Sequence, residues 1–247
     1  MSFWLALQFL TIIPTPKISG VDAGKLGASL AYFPAVGLIL GFILFGLDRG
    51  LGYVLTPAVV AALLVLALAV LSGGHHLDGL ADSCDGLVSG RTPGERLELM
   101  ARSGIGAFGA AGIGIILLLK FAAFYSVGDR TALFLTPVLS RWAVVGTIFA
   151  FPYARASGLG APYKQGVRWQ YLVIATVIAL VVSLAAFRLM GLAVMLLVWA
   201  TTCGIAALLK SKLGGLTGDS YGAIIEVSEV MVVVLVIVIE KLVVRWL

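Results

Sequence analysis

Charged side chains are scarce in this sequence: Asp, Glu, Lys and Arg make up 12% of its 247 residues, about half the share typical of a soluble domain. It has only two cysteines, Cys84 and Cys203, which excludes a disulfide framework and a Cys-x-x-Cys metal site. Hydrophobic residues reach 61% and the mean hydropathy is +1.10. These values exclude an ordinary soluble domain and predict a membrane protein in contact with a lipid bilayer.

The formal net charge is nevertheless +5. A basic chain of this kind can bind nucleic acid, but in a membrane protein the same charge is typical of cytoplasmic loops that face anionic lipid. We therefore expect no nucleic-acid partner.

Long apolar segments predict an all-α polytopic membrane protein, because a spanning helix needs about 20 mostly apolar residues. The segment 2–13 is too short and ends at Pro14, so we expect an interfacial or re-entrant helix there. No linker divides the chain, which indicates a single integral-membrane catalytic domain, 1–247. The seven predicted spans are 26–47, 56–72, 105–127, 131–151, 171–187, 189–209 and 230–246.

Seven spans distribute the polar loops over two sides of the membrane. One side receives the N-terminal segment and the loops 73–104, 152–169 and 210–222, with ten basic residues, whereas the other side receives five. The positive-inside rule places the richer side in the cytoplasm. We therefore expect a multi-pass protein of the cytoplasmic (inner) membrane, with its two acidic loops facing the cytoplasm.

The first acidic loop contains Asp78, Asp82 and Asp85, at i, i+4 and i+7. On a helix these positions fall within an arc of roughly 60°. Three carboxylates so close repel one another unless a cation lies between them, and Mg²⁺ accepts such oxygen ligands together with substrate phosphates. The alternative is a solvated acidic helix end with Asp78 as its N-cap.

The second acidic loop, 213–222, is rich in glycine and leads into the last predicted span. Glycines allow a backbone to turn tightly around a ligand such as phosphate, although a simple turn has the same composition. Asp219, Glu226 and Glu229 follow at i, i+7 and i+10, roughly on one helix face. They are candidate metal ligands, and Gly215, Thr217 and Gly218 are candidate phosphate-binding residues.

Two basic residues, Lys120 and Arg141, lie inside predicted spans, where a charge usually faces a cavity or a partner. Arg141 is a candidate for binding an anionic substrate, while Lys120 is as well explained by snorkelling to the interface. Among the loop residues, Arg155 and Lys210 can bind phosphate oxygens or act as positive-inside anchors. For His76, acid–base work, metal ligation and plain hydrogen bonding all remain open.

Clustered carboxylates, a probable Mg²⁺ and nearby basic groups suit phosphoryl transfer. A phospholipid-forming phosphotransferase of the CDP-alcohol type uses similar chemistry, but the chain lacks the second acidic pair of that family. A divalent-cation transporter is the other alternative. It should have carboxylates near the bilayer midplane on broken helices, whereas these are expected at span ends.

Five motifs resemble those of the cobalamin synthase family, the adenosylcobinamide-GDP ribazoletransferases. Residues 74–86, GHHLDGLADSCDG, are similar to its G-x-HLDGLADTCDG motif. The segments 9–16 and 32–37 are similar to its FxTRxPxP and YFPxVG motifs. The segment 153–160 resembles its YAR…GLG, and 213–229 resembles LGGxTGDxxGAxxExxE. The resemblance extends along nearly the whole chain.

The resemblance implies an Mg²⁺-dependent transfer that completes cobalamin. A ribose hydroxyl of α-ribazole, or of its 5′-phosphate, attacks the cobinamide-linked phosphate of adenosylcobinamide-GDP, and GMP leaves. A homo-oligomer is an open possibility. The implied catalytic residues are His76, Asp78, Asp82 and Asp85; the metal ligands Asp78, Asp82, Asp85, Asp219, Glu226 and Glu229; and the substrate-binding residues Arg141, Arg155, Lys210, Gly215, Thr217 and Gly218.

The chain departs from the family pattern at one place. The family reads LEIMKDSRIGTFG where residues 97–109 read LELMARSGIGAFG. Arg102 therefore replaces an expected aspartate, and Gly104 replaces an expected arginine. We leave Arg102 out of the predicted site.

Overall fold

The computed structural model describes residues 1–102 and 104–246. No β-strand occurs in these residues; an isolated bridge joins Tyr153 to Leu216. The helices are α1 (Ser2–Leu10), α2 (Ala23–Ser29), α3 (Phe33–Leu51), α4 (Pro57–Leu71), α5 (His75–Ser89), α6 (Pro93–Leu99), α7 (Ala107–Ser126), α8 (Ala132–Ala150), α9 (Ala161–Gly166), α10 (Trp169–Leu213) and α11 (Gly218–Trp246).

The structure confirms the predicted all-α membrane fold. In the described part of the chain, five helical stretches are long and apolar enough to cross a bilayer, or six if the bent pair α4–α5 forms one span. The nine-residue α1 is not among them. The number seven stays a prediction.

Helix α10 contains a reversal of the chain. Phe187 and Arg188 have non-helical backbone angles, and Arg188 has a φ of 50°. A Cβ on Gly191 would lie 2.0 Å from the carbonyl oxygen of Ser183, although residues eight apart in one helix are about 12 Å apart. The arms 169–186 and 189–213 therefore pack side by side, and the break falls at the predicted boundary between two spans.

The predicted loop 73–104 is instead largely helical, because α5 and α6 lie within it. Gly73 and Gly74 both adopt positive φ, +68° and +72°, a conformation that glycine reaches without steric penalty. They turn the chain by 89° between α4 and α5. Helix α5 therefore folds back against the bundle, where Asp82 and Asp85 are half-buried and Asp78 is exposed.

Helix α5 crosses α11 at very short range. A Cβ on Gly79 would lie 2.6 Å from the carbonyl oxygen of Asp219, and one on Gly222 would lie 3.1 Å from His76. Only glycine allows the two backbones to approach this closely. The crossing brings both acidic segments of the sequence to one place.

Helix α8 is the central helix of the bundle. In the most apolar stretch of α8, 89% of the residues are buried, whereas the corresponding shares are 61% for α11 and 28% for α7. Helix α8 packs against α3, α10 and α11. The last predicted span, 230–246, begins too late, since α11 begins at Gly218. Glu226 and Glu229 therefore lie inside a spanning helix rather than before it.

We expect Gly79→Ala to lower the stability of the detergent-solubilised protein by about 1–3 kcal/mol, because the added methyl group overpacks the crossing of α5 and α11. Thermal unfolding measures this loss. Gly114→Ala is the matched control, since its methyl group meets nothing within 4 Å. Equal unfolding temperatures for the two variants would contradict the close crossing.

Candidate functional site

A cavity of about 360 Å³ lies where the first turns of α5 and α11 meet the segment 151–160. It brings together residues from all five quoted motifs of the sequence. Among the predicted site residues, the cavity is lined by His76, Asp78, Arg155, Gly218 and Asp219.

Arg155 is the cation of this cavity. Its Nη1 donates to Asp219 Oδ2 at 3.1 Å, and its Nη2 donates to the carbonyl oxygen of Leu97 at 3.2 Å. Both partners of the ion pair are about one quarter exposed. Arg155 is therefore held in place on one side and still faces the cavity.

A two-hydrogen-bond bridge attaches the Arg155 segment to the start of α11. Leu216 N donates to the carbonyl oxygen of Pro152, and Ala154 N donates to that of Leu216, both at 2.8 Å. Gly215 lies so close that a Cβ would be 2.8 Å from Ala154 N. Gly215 thus serves this backbone contact and does not line the cavity.

Thr217 acts as the N-terminal cap of α11. Its Oγ1 accepts a hydrogen bond from Ser220 N at 3.1 Å, and the side chain is fully buried. Gly218 and Asp219 follow at the cavity wall. The first backbone N–H groups of this long helix and its dipole favour an anion at this position.

Asp78, Asp82 and Asp219 form one carboxylate group. Asp82 is repelled by the charges of Asp219 and Asp78, and Asp219 is also repelled by Asp78. Asp78 is exposed and the other two are half-buried. Arg155 alone does not balance three negative charges, so a further cation would stabilise the group.

Asp85 has a different environment. Its Oδ2 accepts from Gly106 N at 2.7 Å and its Oδ1 from Gly109 N at 2.9 Å. Both oxygens thus cap the N-terminus of α7 and connect it to α5. A second, more open depression of about 350 Å³ is lined by Asp82, Asp85 and Arg102, so the residue that departs from the family pattern lies beside the aspartates.

Deeper in the bundle, four buried charged residues form an ion cluster: Lys120, Arg141, Glu226 and Glu229, all at most 4% exposed. Lys120 Nζ donates to Glu226 Oε2 at 2.6 Å and also to Glu229. Arg141 donates to Glu229 and, at 2.9 Å, to Ser140 Oγ. Two positive and two negative side chains compensate one another, as buried charges require.

The structure does not bring Glu226 and Glu229 together with the aspartates. They follow Asp219 by seven and ten residues in α11, roughly 10–15 Å along its axis, and Lys120 and Arg141 occupy their oxygens. In the described chain, no three Asp, Glu, His or Cys side chains form a ready-made metal site. Glu226, Glu229 and Arg141 are placed as a structural cluster.

His76 lies between the cavity and the ion cluster. It is 6% exposed, lines the cavity, and is subject to the charges of Arg141, Glu229 and Lys120. Its Nδ1, together with Nε and Nη2 of Arg141, is buried without a hydrogen-bond partner in the described residues. The cluster thus forms the floor beneath the histidine.

Lys210 does not join the site. It is exposed in the last turn of α10 and lines neither depression.

Aromatic residues of the cavity were missed by the sequence reasoning, although all of them except Tyr163 stand in the quoted motifs. Burial raises the pKa of the Tyr153 hydroxyl, so that it remains a hydrogen-bond donor at neutral pH. Aromatic side chains in an apolar chain give no signal of their own, because most of them pack in cores or face lipid. The missed aromatic lining comprises Phe9, Phe33, Tyr153, Tyr163 and Tyr221.

The fold and the cavity define a multi-pass membrane protein with an acidic pocket that also contains an arginine. Residues 2–238 match the model of the cobalamin-5-phosphate synthase family. Three proteins named adenosylcobinamide-GDP ribazoletransferase are similar to the chain. The one from Roseiflexus sp. (strain RS-1) is 41% identical over 92% of this chain and 85% of its own. That of Desulforamulus reducens is 38% identical over 96% of each. That of Desulfitobacterium hafniense (strain Y51) is 40% identical over 92% of this chain and 93% of its own.

No solved structure matches the chain. The family match covers far more than half of the sequence, and the relatives are similar over nearly their whole length. The chain therefore belongs to the cobalamin-5-phosphate synthase family, and it is an enzyme.

We expect Glu229→Gln to destabilise the protein by about 3–5 kcal/mol, because it leaves Lys120 and Arg141 with one buried carboxylate between them. Thermal unfolding in detergent measures the loss, with Glu98→Gln, at an exposed position, as the control. The double variant Lys120→Met/Glu226→Gln removes one charge of each sign and should therefore lose less stability than Glu229→Gln. A Glu229→Gln variant as stable as the control would contradict the cluster.

Proposed function

We propose that the protein joins adenosylcobinamide-GDP to α-ribazole, or to α-ribazole 5′-phosphate, and releases GMP. The observation that supports this most strongly is the convergence of Asp78, Asp219, Arg155 and the N-terminus of α11 on one cavity. The printed names of the relatives supply the substrates. The product is adenosylcobalamin or its 5′-phosphate.

The cavity suits the phosphates of a nucleotide-linked substrate. Arg155 provides a guanidinium that can bind two oxygens, α11 provides backbone N–H groups and a favourable dipole, and Tyr153 provides a hydroxyl donor. These groups bind the diphosphate and orient it. In the reaction a ribose hydroxyl oxygen forms a bond to the cobinamide-linked phosphorus as it loses its proton, and the bond from that phosphorus to the departing GMP breaks.

The residues present fit Mg²⁺. This ion usually takes one or two carboxylates together with substrate phosphates, so a complete protein cage is not needed. Asp78, Asp82 and Asp219 would hold it, since they repel one another and exceed the positive charge of Arg155. When bound, Mg²⁺ supplies neutralisation of the phosphate charge.

His76 is assigned to proton transfer. It lines the cavity beside Asp78 and lies between the cavity and the ion cluster. The imidazole takes the proton of the attacking ribose hydroxyl as the new bond forms. α-Ribazole 5′-phosphate keeps its phosphate in the product, so it also attacks through a ribose hydroxyl and needs the same base.

We propose that the cavity faces the cytoplasm from the inner membrane. Asp219 and Glu240 are 21 residues apart in α11, about 32 Å along the axis, which is close to the thickness of the hydrocarbon core. The site and the Glu240 end therefore belong to opposite faces. The excess of basic residues on the site's side supports its cytoplasmic orientation.

The direct test incubates the purified protein with adenosylcobinamide-GDP, α-ribazole and Mg²⁺ and measures GMP and the cobamide.

Asp82→Asn should lower turnover by at least about a hundredfold with an unchanged unfolding temperature, because it removes a charge that acts on Mg²⁺ and phosphate. Asp22→Asn is the control, since asparagine also caps helix α2. EDTA should abolish turnover. Activity of Asp82→Asn equal to that of the control would refute the metal assignment.

The role of His76 predicts similar effects on the two nucleophiles, because both attack through a ribose hydroxyl. His76→Gln should slow turnover of α-ribazole and of α-ribazole 5′-phosphate alike, by about 10²–10⁴-fold. Initial rates with each nucleophile at saturation measure the loss. An undiminished rate of His76→Gln with either nucleophile would show that His76 does not act as the base.

A further inference from the structure

The lining of the cavity contains two chemically different groups of residues. One group is polar and comprises His76, Asp78, Arg155 and Asp219. The other group consists of three aromatic side chains in mutual contact, which we call the aromatic wall: Phe9, Phe33 and Tyr163. A substrate that fills the cavity therefore has a charged or hydroxylated part and an apolar, flat part.

The aromatic wall is assembled from α1, α3 and α9. The ring centroids of Phe9 and Tyr163 are 4.6 Å apart, and those of Phe9 and Phe33 are 6.0 Å apart. Phe33 and Tyr163 are almost fully buried, whereas Phe9 is 37% exposed. Two of the rings are thus fixed by packing, and the third covers them from the open side.

We infer that the aromatic wall binds the heteroaromatic base of α-ribazole, with the ribose directed toward His76 and Asp78. This inference rests on the proposed function, because it takes α-ribazole as a substrate. Flat apolar rings pack favourably against aromatic faces and edges. The base has two fused rings and no exocyclic hydrogen-bonding groups, so it loses little on leaving water.

The size of the cavity supports the nucleoside rather than the corrinoid as its occupant. About 360 Å³ lies near the lower end of small-molecule pockets, which span ~300–1,000 Å³. A corrin ring with its side chains and linked nucleotide far exceeds this volume. The corrinoid therefore remains outside and extends only its phosphates to Arg155 and the N-terminus of α11.

Guanine of the second substrate is also flat, but it suits the aromatic wall poorly. Its amide and amino groups need hydrogen-bond partners, and buried polar groups without partners are unfavourable. The cavity lining also contains Val144, Ile148 and Ile225, which offer apolar side chains. The lining thus discriminates in favour of the less polar base.

Binding of each substrate alone to the detergent-solubilised protein tests this assignment by calorimetry. Phe9→Ala should weaken the affinity for α-ribazole about tenfold, as loss of one stacking partner predicts, and should change that for adenosylcobinamide-GDP less than twofold. Phe9 is partly exposed, so its replacement leaves the core intact. Phe42→Ala is the matched control, because Phe42 is 59% exposed and outside the cavity, and it should alter neither affinity.

Three results would overturn the inference: wild-type protein that does not bind α-ribazole, equal α-ribazole affinity in Phe9→Ala and wild type, or a selective loss of adenosylcobinamide-GDP affinity in Phe9→Ala. The last result would place guanine at the aromatic wall. Wild-type protein that binds α-ribazole with the expected Phe9 dependence, but forms no product, would refute the proposed function and leave the binding site supported.

Discussion

The pairing of Glu229 with both Lys120 and Arg141 is the constraint on which the rest of the structure depends. These buried side chains belong to α11, α7 and α8, so the charges fix three spanning helices at one depth. An isolated charge in the bilayer interior is very unfavourable, and each member is acceptable only because the others are present. The cluster thereby also fixes the start of α11, where the cavity lies.

The site follows from that arrangement by short-range packing. The close contact of Gly79 with Asp219 positions α5 against α11. The two hydrogen bonds that Asp85 accepts connect α5 to α7. The result is a polar cavity floor whose charged side chains are held in place by packing and hydrogen bonds. Preorganised charges of this kind suit phosphoryl transfer, in which positioning and electrostatic stabilisation provide most of the catalysis.

Much of the fold and part of the site could be predicted from the sequence. Apolar length identified the spanning helices, and the spacing of Asp78, Asp82 and Asp85 correctly placed them on a helix. Spacing could not show that Asp85 has a different environment from Asp78 and Asp82. The capping of α7 by Asp85 depends on a contact between residues more than twenty positions apart. The pairing of Glu226 and Glu229 with Lys120 and Arg141 was missed because these partners are about a hundred residues away in the chain. The aromatic wall was missed because its three side chains come from α1, α3 and α9, which are far apart in the sequence.

The central claim is that the nucleophile attacks the cobinamide-linked phosphorus at the cavity between α5 and α11. The most direct measurement uses adenosylcobinamide-GDP labelled with ³²P at that phosphorus and separates the products after complete turnover with α-ribazole. The account predicts that the label stays entirely in the cobamide and that the released GMP is unlabelled. Label in the released nucleotide would contradict it.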